Sequence, residues 1–193
     1  MLYMGITDNE RDLALWNQFK NGDEGAFVTL FRNYYSGLFN YGCKITSDND
    51  LVEDCIQELF LEMWRSNGKA DILSMRAYIF KAFKFKLVRL ITKNNKVQSF
   101  TAGENDFELS HDNFIIDKEI SAIKKEKILA ALQELSPRQK EIIYLKFYQD
   151  LSYEEVSDIM QINYQAARNL IYQAIKVMKK TISFQLIFGL LLK

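Results

Sequence analysis

"LSYEEVSDIMQINYQAARNLIYQAIKVMKK", Leu151 to Lys180, reads as two short amphipathic helices with one break between them. Ser152 and Glu155 have the spacing of a capping box, in which the serine hydroxyl accepts an amide hydrogen three residues on and the glutamate reaches back. Asn163 is suited to cap the second helix, because its side chain can accept one of the amide hydrogens that a first turn leaves unpaired. The segment Gln161 to Asn163 is then a tight turn. Beyond it Ala167, Leu170, Ile171, Ala174, Ile175 and Met178 recur at helical spacing and form a stripe to be buried.

Upstream, Ser136, Pro137 and Gln139 make a second capping box with proline at the first helical position, opening a supporting helix at "PRQKEIIYLKFYQ". A supporting helix, a helix, a three-residue turn and a helix is the pattern of a helix-turn-helix, whose second helix enters the major groove of DNA. The charges agree. From Tyr164 to Lys180 there are four basic residues, Arg168, Lys176, Lys179 and Lys180, and no acidic one, as a helix lying among phosphates requires. Off the apolar stripe stand Gln165, Arg168, Asn169 and Tyr172, hydrogen-bonding side chains able to reach base edges. An ordinary helical hairpin with a solvated polar face would show the same periodicity.

The remainder of the chain has only one proline and eight glycines, and no sustained apolar/polar alternation, so the expected fold class is all-α. Ala26, Phe27, Leu30, Phe31, Tyr34, Tyr35, Leu38 and Phe39 form one stripe; Leu51, Val52, Cys55, Ile56, Leu59, Phe60, Met63 and Trp64 form another. A third helix, about Met75 to Lys93, is expected to bury Ile79, Phe80, Phe83, Leu87, Leu90 and Ile91. Three or four helices over residues 1–96 can close a first core, and residues 119–180 form a second helical unit. Between them residues 97–118 have no clear period and carry five acids, Glu104, Asp106, Glu108, Asp112 and Asp117, which marks a linker. Residues 181–193 are a largely apolar tail, expected either to pack back on the core or to dock on a partner.

Two faces of the first unit have opposite sign. From Ser74 to Lys96 there are seven bases, Arg76, Lys81, Lys84, Lys86, Arg89, Lys93 and Lys96, and no acid. On the helical wheel Tyr78 and Phe85 fall among the cations, a mixture suited to unpaired bases that stack on rings while cations follow the strand. Burial of both rings by a neighbouring helix is the competing expectation. The helix from Leu51 to Trp64 instead presents Glu53, Asp54, Gln57, Glu58 and Glu62, with Leu61 among them, a face that repels DNA and suits a basic protein surface.

The totals exclude several classes. Twenty-five basic and 25 acidic residues cancel, so any attraction to nucleic acid is local. Cys43 and Cys55 have no CxxC spacing and are expected to be reduced, small hydrophobes. The start lacks a secretory pattern, and the apolar run Leu186 to Leu192 is far shorter than the ~20 residues of a membrane span, so a cytoplasmic protein without a span is expected. The lone His111 lies in the linker, and no residues have metal, phosphate-loop or catalytic-triad spacing; no enzyme, cofactor, metal or small-molecule substrate is expected.

The chain from Ala26 to Lys180 resembles the extracytoplasmic-function (ECF) sigma factors of bacterial RNA polymerase, a group of the sigma-70 family with two domains, region 2 and region 4. The resemblance rests on "DLVEDCIQELFLEMWR" and "RAYIFKAFKFKLVRL" for the first, and on "ALQELSPRQKEIIYLKFYQDLSYEEVSDIM" with "INYQAARNLIYQAIKVMKK" for the second. The version "NYQAARNLIYQAIK" is similar to the Bacteroidetes branch. It implies two small helical domains, region 2 within residues 1–96 and region 4 within 119–180, joined by the acidic linker. It further implies that Asp54, Gln57, Glu58 and Leu61 bind the clamp helices of the largest subunit of core RNA polymerase. Tyr78, Lys81, Lys84, Phe85 and Arg89 would lie at the minus-10 element of promoter DNA, and Asn163, Gln165, Arg168, Asn169, Tyr172 and Lys176 at the minus-35 element. An anti-sigma factor is the further partner implied.

The chain departs from the family pattern in places. Gln161 stands where a glycine often opens the turn, which predicts a looser or differently shaped turn. Leu170 and Gln173 stand where arginines are frequent, and Phe85 and Arg89 replace a frequent asparagine and aspartate. A stand-alone helix-turn-helix regulator is the rival function, but it leaves the acidic and the basic-aromatic faces of the first unit unused. A helical adaptor that binds only protein is a third class, separated by its lack of salt-dependent DNA affinity.

Overall fold

The computed structural model describes residues 8–66, 71–94, 107–109 and 122–181. The chain divides into two compact units, residues 1–43 with 48–98, and residues 44–47 with 99–193. The linker, apart from 107–109, and the tail from 182 on lie outside the described residues, as does His111.

The first unit contains α1 (Asp8–Lys20), α2 (Glu24–Ile45), α3 (Asn49–Arg65) and α4 (Met75–Asn94). The pairwise stripe of α2 is buried on one side, at Ala26, Leu30, Tyr34, Leu38 and Tyr41, while Phe27, Phe31, Tyr35 and Phe39 stay half-buried at its edge. In α3, Val52, Cys55, Ile56, Leu59, Phe60 and Met63 are buried, and α3 packs on α4 through Ile79, Phe80, Phe83 and Leu87. Burial pushes the Cys55 thiol up to about 12, which fits its reading as a small hydrophobe.

Three members of the expected stripes are corrected. Trp64 is exposed: next to the buried Met63 near the end of α3, it faces outward from the core, its ring 5.0 and 5.6 Å from those of Phe27 and Phe19. Leu90 and Ile91, near the C-terminal end of α4, are half-buried.

The helix least visible in the sequence is α1. Its only fully buried rings are Trp16 and Phe19, too few to show a period, yet they close the unit: Trp16 lies 5.7 Å from Phe19 and 5.9 Å from Tyr78 of α4. The Tyr34 hydroxyl donates to Asp12 and ties α1 to α2.

Gly42 fixes how closely α2 can approach its neighbours. A Cβ there would lie 2.6 Å from Val52 Cγ1 and 2.9 Å from Phe83 Cζ. Overpacking costs about 1–3 kcal/mol, against about 1 kcal/mol gained when alanine replaces glycine in a helix. Gly42→Ala is therefore expected to destabilise the first unit by about 1 kcal/mol and lower its melting midpoint by about 4–8 °C. Both tryptophans, Trp16 and Trp64, belong to this unit, so tryptophan fluorescence on heating reports it selectively. An unchanged or higher midpoint would show that Val52 and Phe83 can retreat.

The second unit contains α5 (Ala122–Gln133), α6 (Pro137–Ile143), a single wider π-turn (Tyr144–Tyr148) that continues α6, α7 (Tyr153–Met160) and α8 (Tyr164–Thr181). Both capping boxes form: Gln139 N–H donates to Ser136 Oγ at 3.4 Å and Glu155 N–H to Ser152 Oγ at 3.1 Å, each with the reciprocal bond. The supporting helix thus runs as α6 plus the π-turn. Its extra residue stacks Tyr144 on Tyr148 at 5.7 Å, and burial pushes the Tyr148 phenol up.

The α8 stripe packs on α5, α6 and α7, with Ala167, Ile171, Ala174 and Met178 fully buried and Leu170 and Ile175 half-buried. One residue of the expected linker joins this core. Phe107 is buried, its ring 5.8 Å from Tyr144.

Candidate nucleic-acid interface

The turn before α8 keeps a tight form without glycine, which corrects the looser turn expected at Gln161. Gln161 itself takes the left-handed conformation, φ 53° and ψ 47°, and its N–H bonds back to Asp158 and Ser157 carbonyls. Ile162 N–H follows with a 3.0 Å bond to Ser157 O. Asn163 then caps α8, its Oδ1 accepting from Ala166 N–H at 2.7 Å. These bonds satisfy the Ser157 and Asp158 carbonyls of α7 and the Ala166 amide of α8.

Facing away from the core, Gln165, Arg168, Asn169, Tyr172 and Lys176 are all exposed on α8. Gln165 Nε2 donates to Asn169 Oδ1 at 3.2 Å, and the Arg168 guanidinium lies over the Tyr164 ring, 5.9 Å from its centre. Tyr164, exposed at 43%, was not among the sequence-derived residues. The signal was present as an aromatic residue four positions before an arginine, a spacing at which helical side chains meet.

On α4 the expected rings part company. Phe85 is 50% exposed between Lys81 and Arg89, as its wheel position implies. Tyr78 is half-buried against Trp16, a correction to its expected exposure; burial raises its phenol pKa. Lys81 and Lys84 are half-buried and Arg89 is exposed.

Lys86 departs from the basic block. It reaches α3 and binds Glu58 at 3.1 Å and Glu62 at 2.7 Å. Burial pulls its ammonium down, but the hydrogen bonds to Glu62 and Glu58 outweigh this and hold it above the usual lysine range. The acidic face of α3 therefore has one cation built in. Asp54, Gln57, Glu58 and Leu61 are exposed there together, Leu61 at 51%.

Against known proteins, residues 30–97 match the family described as sigma-70 region 2 and residues 125–178 match sigma-70 region 4, together more than half of the chain. The chain belongs to the sigma-70 family. Its relatives place this sigma factor in the ECF group: it is 25% identical over 183 residues to the ECF RNA polymerase sigma factor BldN of Streptomyces coelicolor, covering 90% of this chain and 67% of the relative. It is 22% identical to the ECF RNA polymerase sigma factor SigK of Mycobacterium ulcerans, covering 84% and 89%. A solved structure of CnrH in complex with the cytosolic domain of CnrY has the same fold, with a TM-score of 0.58, 19% identity and coverage of 88% and 95%.

As a sigma factor, the protein directs transcription initiation and binds DNA. The family is not one of enzymes. Among the described residues no helix is long and apolar enough to cross a membrane.

Proposed function

We propose that residues 1–96 bind core RNA polymerase and open the minus-10 element, and that residues 119–180 read minus-35 duplex. The observation that carries this is the separation of charge by face: α3 presents acids with an apolar centre at Leu61, while Phe85 and Arg89 on α4 and the whole outer face of α8 present none. In this reading Asp54, Gln57, Glu58 and Leu61 meet the clamp helices, and Lys81, Lys84, Phe85 and Arg89 follow the unpaired strand with Tyr78 as a partly buried wall. Asn163 sets the start of α8; Gln165, Arg168, Asn169 and Tyr172 reach base edges, and Lys176 lies toward the backbone. The sigma factor acts in the cytoplasm and contributes binding and strand separation, with no catalytic residue of its own.

An anti-sigma factor is proposed as the regulator. The supporting observation is that CnrH is solved in complex with the cytosolic domain of CnrY, and that the sigma factor RpoE of Bartonella quintana, of similar fold (TM-score 0.57, 17% identity), is solved in complex with the anti-sigma factor NepR.

The test is retention of purified core polymerase by this protein, then transcription in vitro from a fragment library with start sites sequenced. Transcripts that begin downstream of one shared pair of elements support the reading; failure to retain polymerase overturns it in favour of a stand-alone regulator. Once the promoter is mapped, Arg168→Ala is expected to cost about 1–3 kcal/mol of discrimination at one base pair of the minus-35 element. An equal loss on every sequence, with a shallower salt slope, would make Arg168 a phosphate contact instead.

A further inference from the structure

Four side chains form a continuous run across the helix-turn-helix. Lys146, in the π-turn, is fixed by donating to Leu151 O at 2.8 Å, and its Nζ lies 5.2 Å from the centre of the Tyr153 ring at the start of α7. Tyr153 meets Tyr164, at the start of α8, at 5.9 Å and 62°, the edge-to-face arrangement in which a ring's positive edge meets its neighbour's negative face. Tyr164 in turn lies beneath the Arg168 guanidinium. The run begins at a tethered cation and ends at an exposed one.

We propose that Tyr164 is a positioning residue for base readout: backed by Tyr153, its ring holds the Arg168 guanidinium in the orientation that a base edge requires. The inference rests on the reading of α8 as the duplex-reading helix. An exposed arginine samples many rotamers, and bidentate recognition of a base fixes one of them, so a ring that restricts the guanidinium beforehand lowers the cost of binding the correct base. Phosphate contacts tolerate many rotamers and gain little from it. Tyr164 is thus expected to act on specificity and to leave overall affinity nearly unchanged.

The test uses the full chain with core polymerase. Its probes are the promoter duplex identified by start-site sequencing and the same duplex with the minus-35 element scrambled. Tyr164→Leu is expected to reduce the ratio of the two affinities roughly two- to fivefold, the strength of an exposed cation–π contact. Tyr164→Phe, which keeps the ring, is expected to retain the wild-type ratio. In an Arg168→Ala background Tyr164→Leu is expected to add nothing. Partial exposure of Tyr164 predicts that these variants fold, checked by thermal unfolding followed by circular dichroism, and Tyr164→Met serves as a second ring deletion.

A loss as large in the Arg168→Ala background would show that Tyr164 acts on the DNA by itself and overturn the inference. So would a phenylalanine variant as defective as leucine, because the hydroxyl would then carry the effect. If the wild-type protein fails to separate the two duplexes at all, the duplex-reading role of α8 falls, and the positioning role falls with it.

Discussion

Glu58→Lys is expected to weaken binding to core polymerase by on the order of tenfold or more, with most of the loss at low salt. The reversal acts twice. It replaces an exposed acid of the proposed docking face by a cation that repels a basic partner, and it sets that cation beside Lys86, which Glu58 binds at 3.1 Å in the native protein. The two effects are separable with a charge swap. Glu58→Lys combined with Lys86→Glu and Glu62→Gln restores an internal pair across α3 and α4, without a second carboxylate facing position 86, while leaving a cation on the outer face. If the swap recovers the melting midpoint but not polymerase affinity, the face is the docking surface. If it recovers polymerase affinity as well, the single variant had acted through helix packing, and Glu58 is no contact.

Trp16→Ala is expected to destabilise the first unit by about 3–5 kcal/mol, the cost of deleting a large buried aromatic ring. Trp16 is 2% exposed and, beside Phe19 of the same helix, is the side chain through which α1 meets Tyr78 of α4. A domain commonly has about 5–15 kcal/mol in hand, so the loss is a large share of the total. Denaturation by urea, followed through the remaining Trp64, measures it. The variant also removes the wall behind Tyr78, so strand opening at the minus-10 element should fail at temperatures where binding through α8 persists. A loss below about 1 kcal/mol would make α1 an ornament of the fold, and the core would have to be drawn from α2 to α4 alone.

Legibility in the sequence followed the strength of the local signal. In the second unit the starts of α6, α7 and α8 were legible almost to the residue, because two capping boxes and a capping asparagine mark them with specific side-chain chemistry, whereas α5 carried no such mark. In the first unit α2, α3 and α4 declared themselves by periodicity, but α1 did not, since two buried rings make no period. Membership in the sigma-70 family was legible from the motifs of both units. Tertiary facts stayed hidden. The side of α4 on which Tyr78 ends depends on Trp16, which lies 62 positions earlier in the chain. Lys86 reads as one more member of a basic block until α3 is placed beside it. The π-turn adds one residue to a helix without any mark that composition alone would reveal, and Phe107 is a lone aromatic in an acidic stretch whose pocket is built from distant residues.

The left-handed Gln161 has a bearing on what holds the turn together. A non-glycine residue in that conformation costs roughly 1–2 kcal/mol of local strain. Glycine in its place would relieve the strain but widen the conformational freedom of the unfolded chain, which costs about 0.4–1 kcal/mol in the other direction. The balance favours glycine by about 1 kcal/mol. The turn is nevertheless held by Asn163 on one flank and the returning amides of Gln161 and Ile162 on the other, bonds that absorb a cost of that size. The turn thus forms without glycine, and the start of α8 is set by backbone and capping bonds that do not depend on the side chain at position 161.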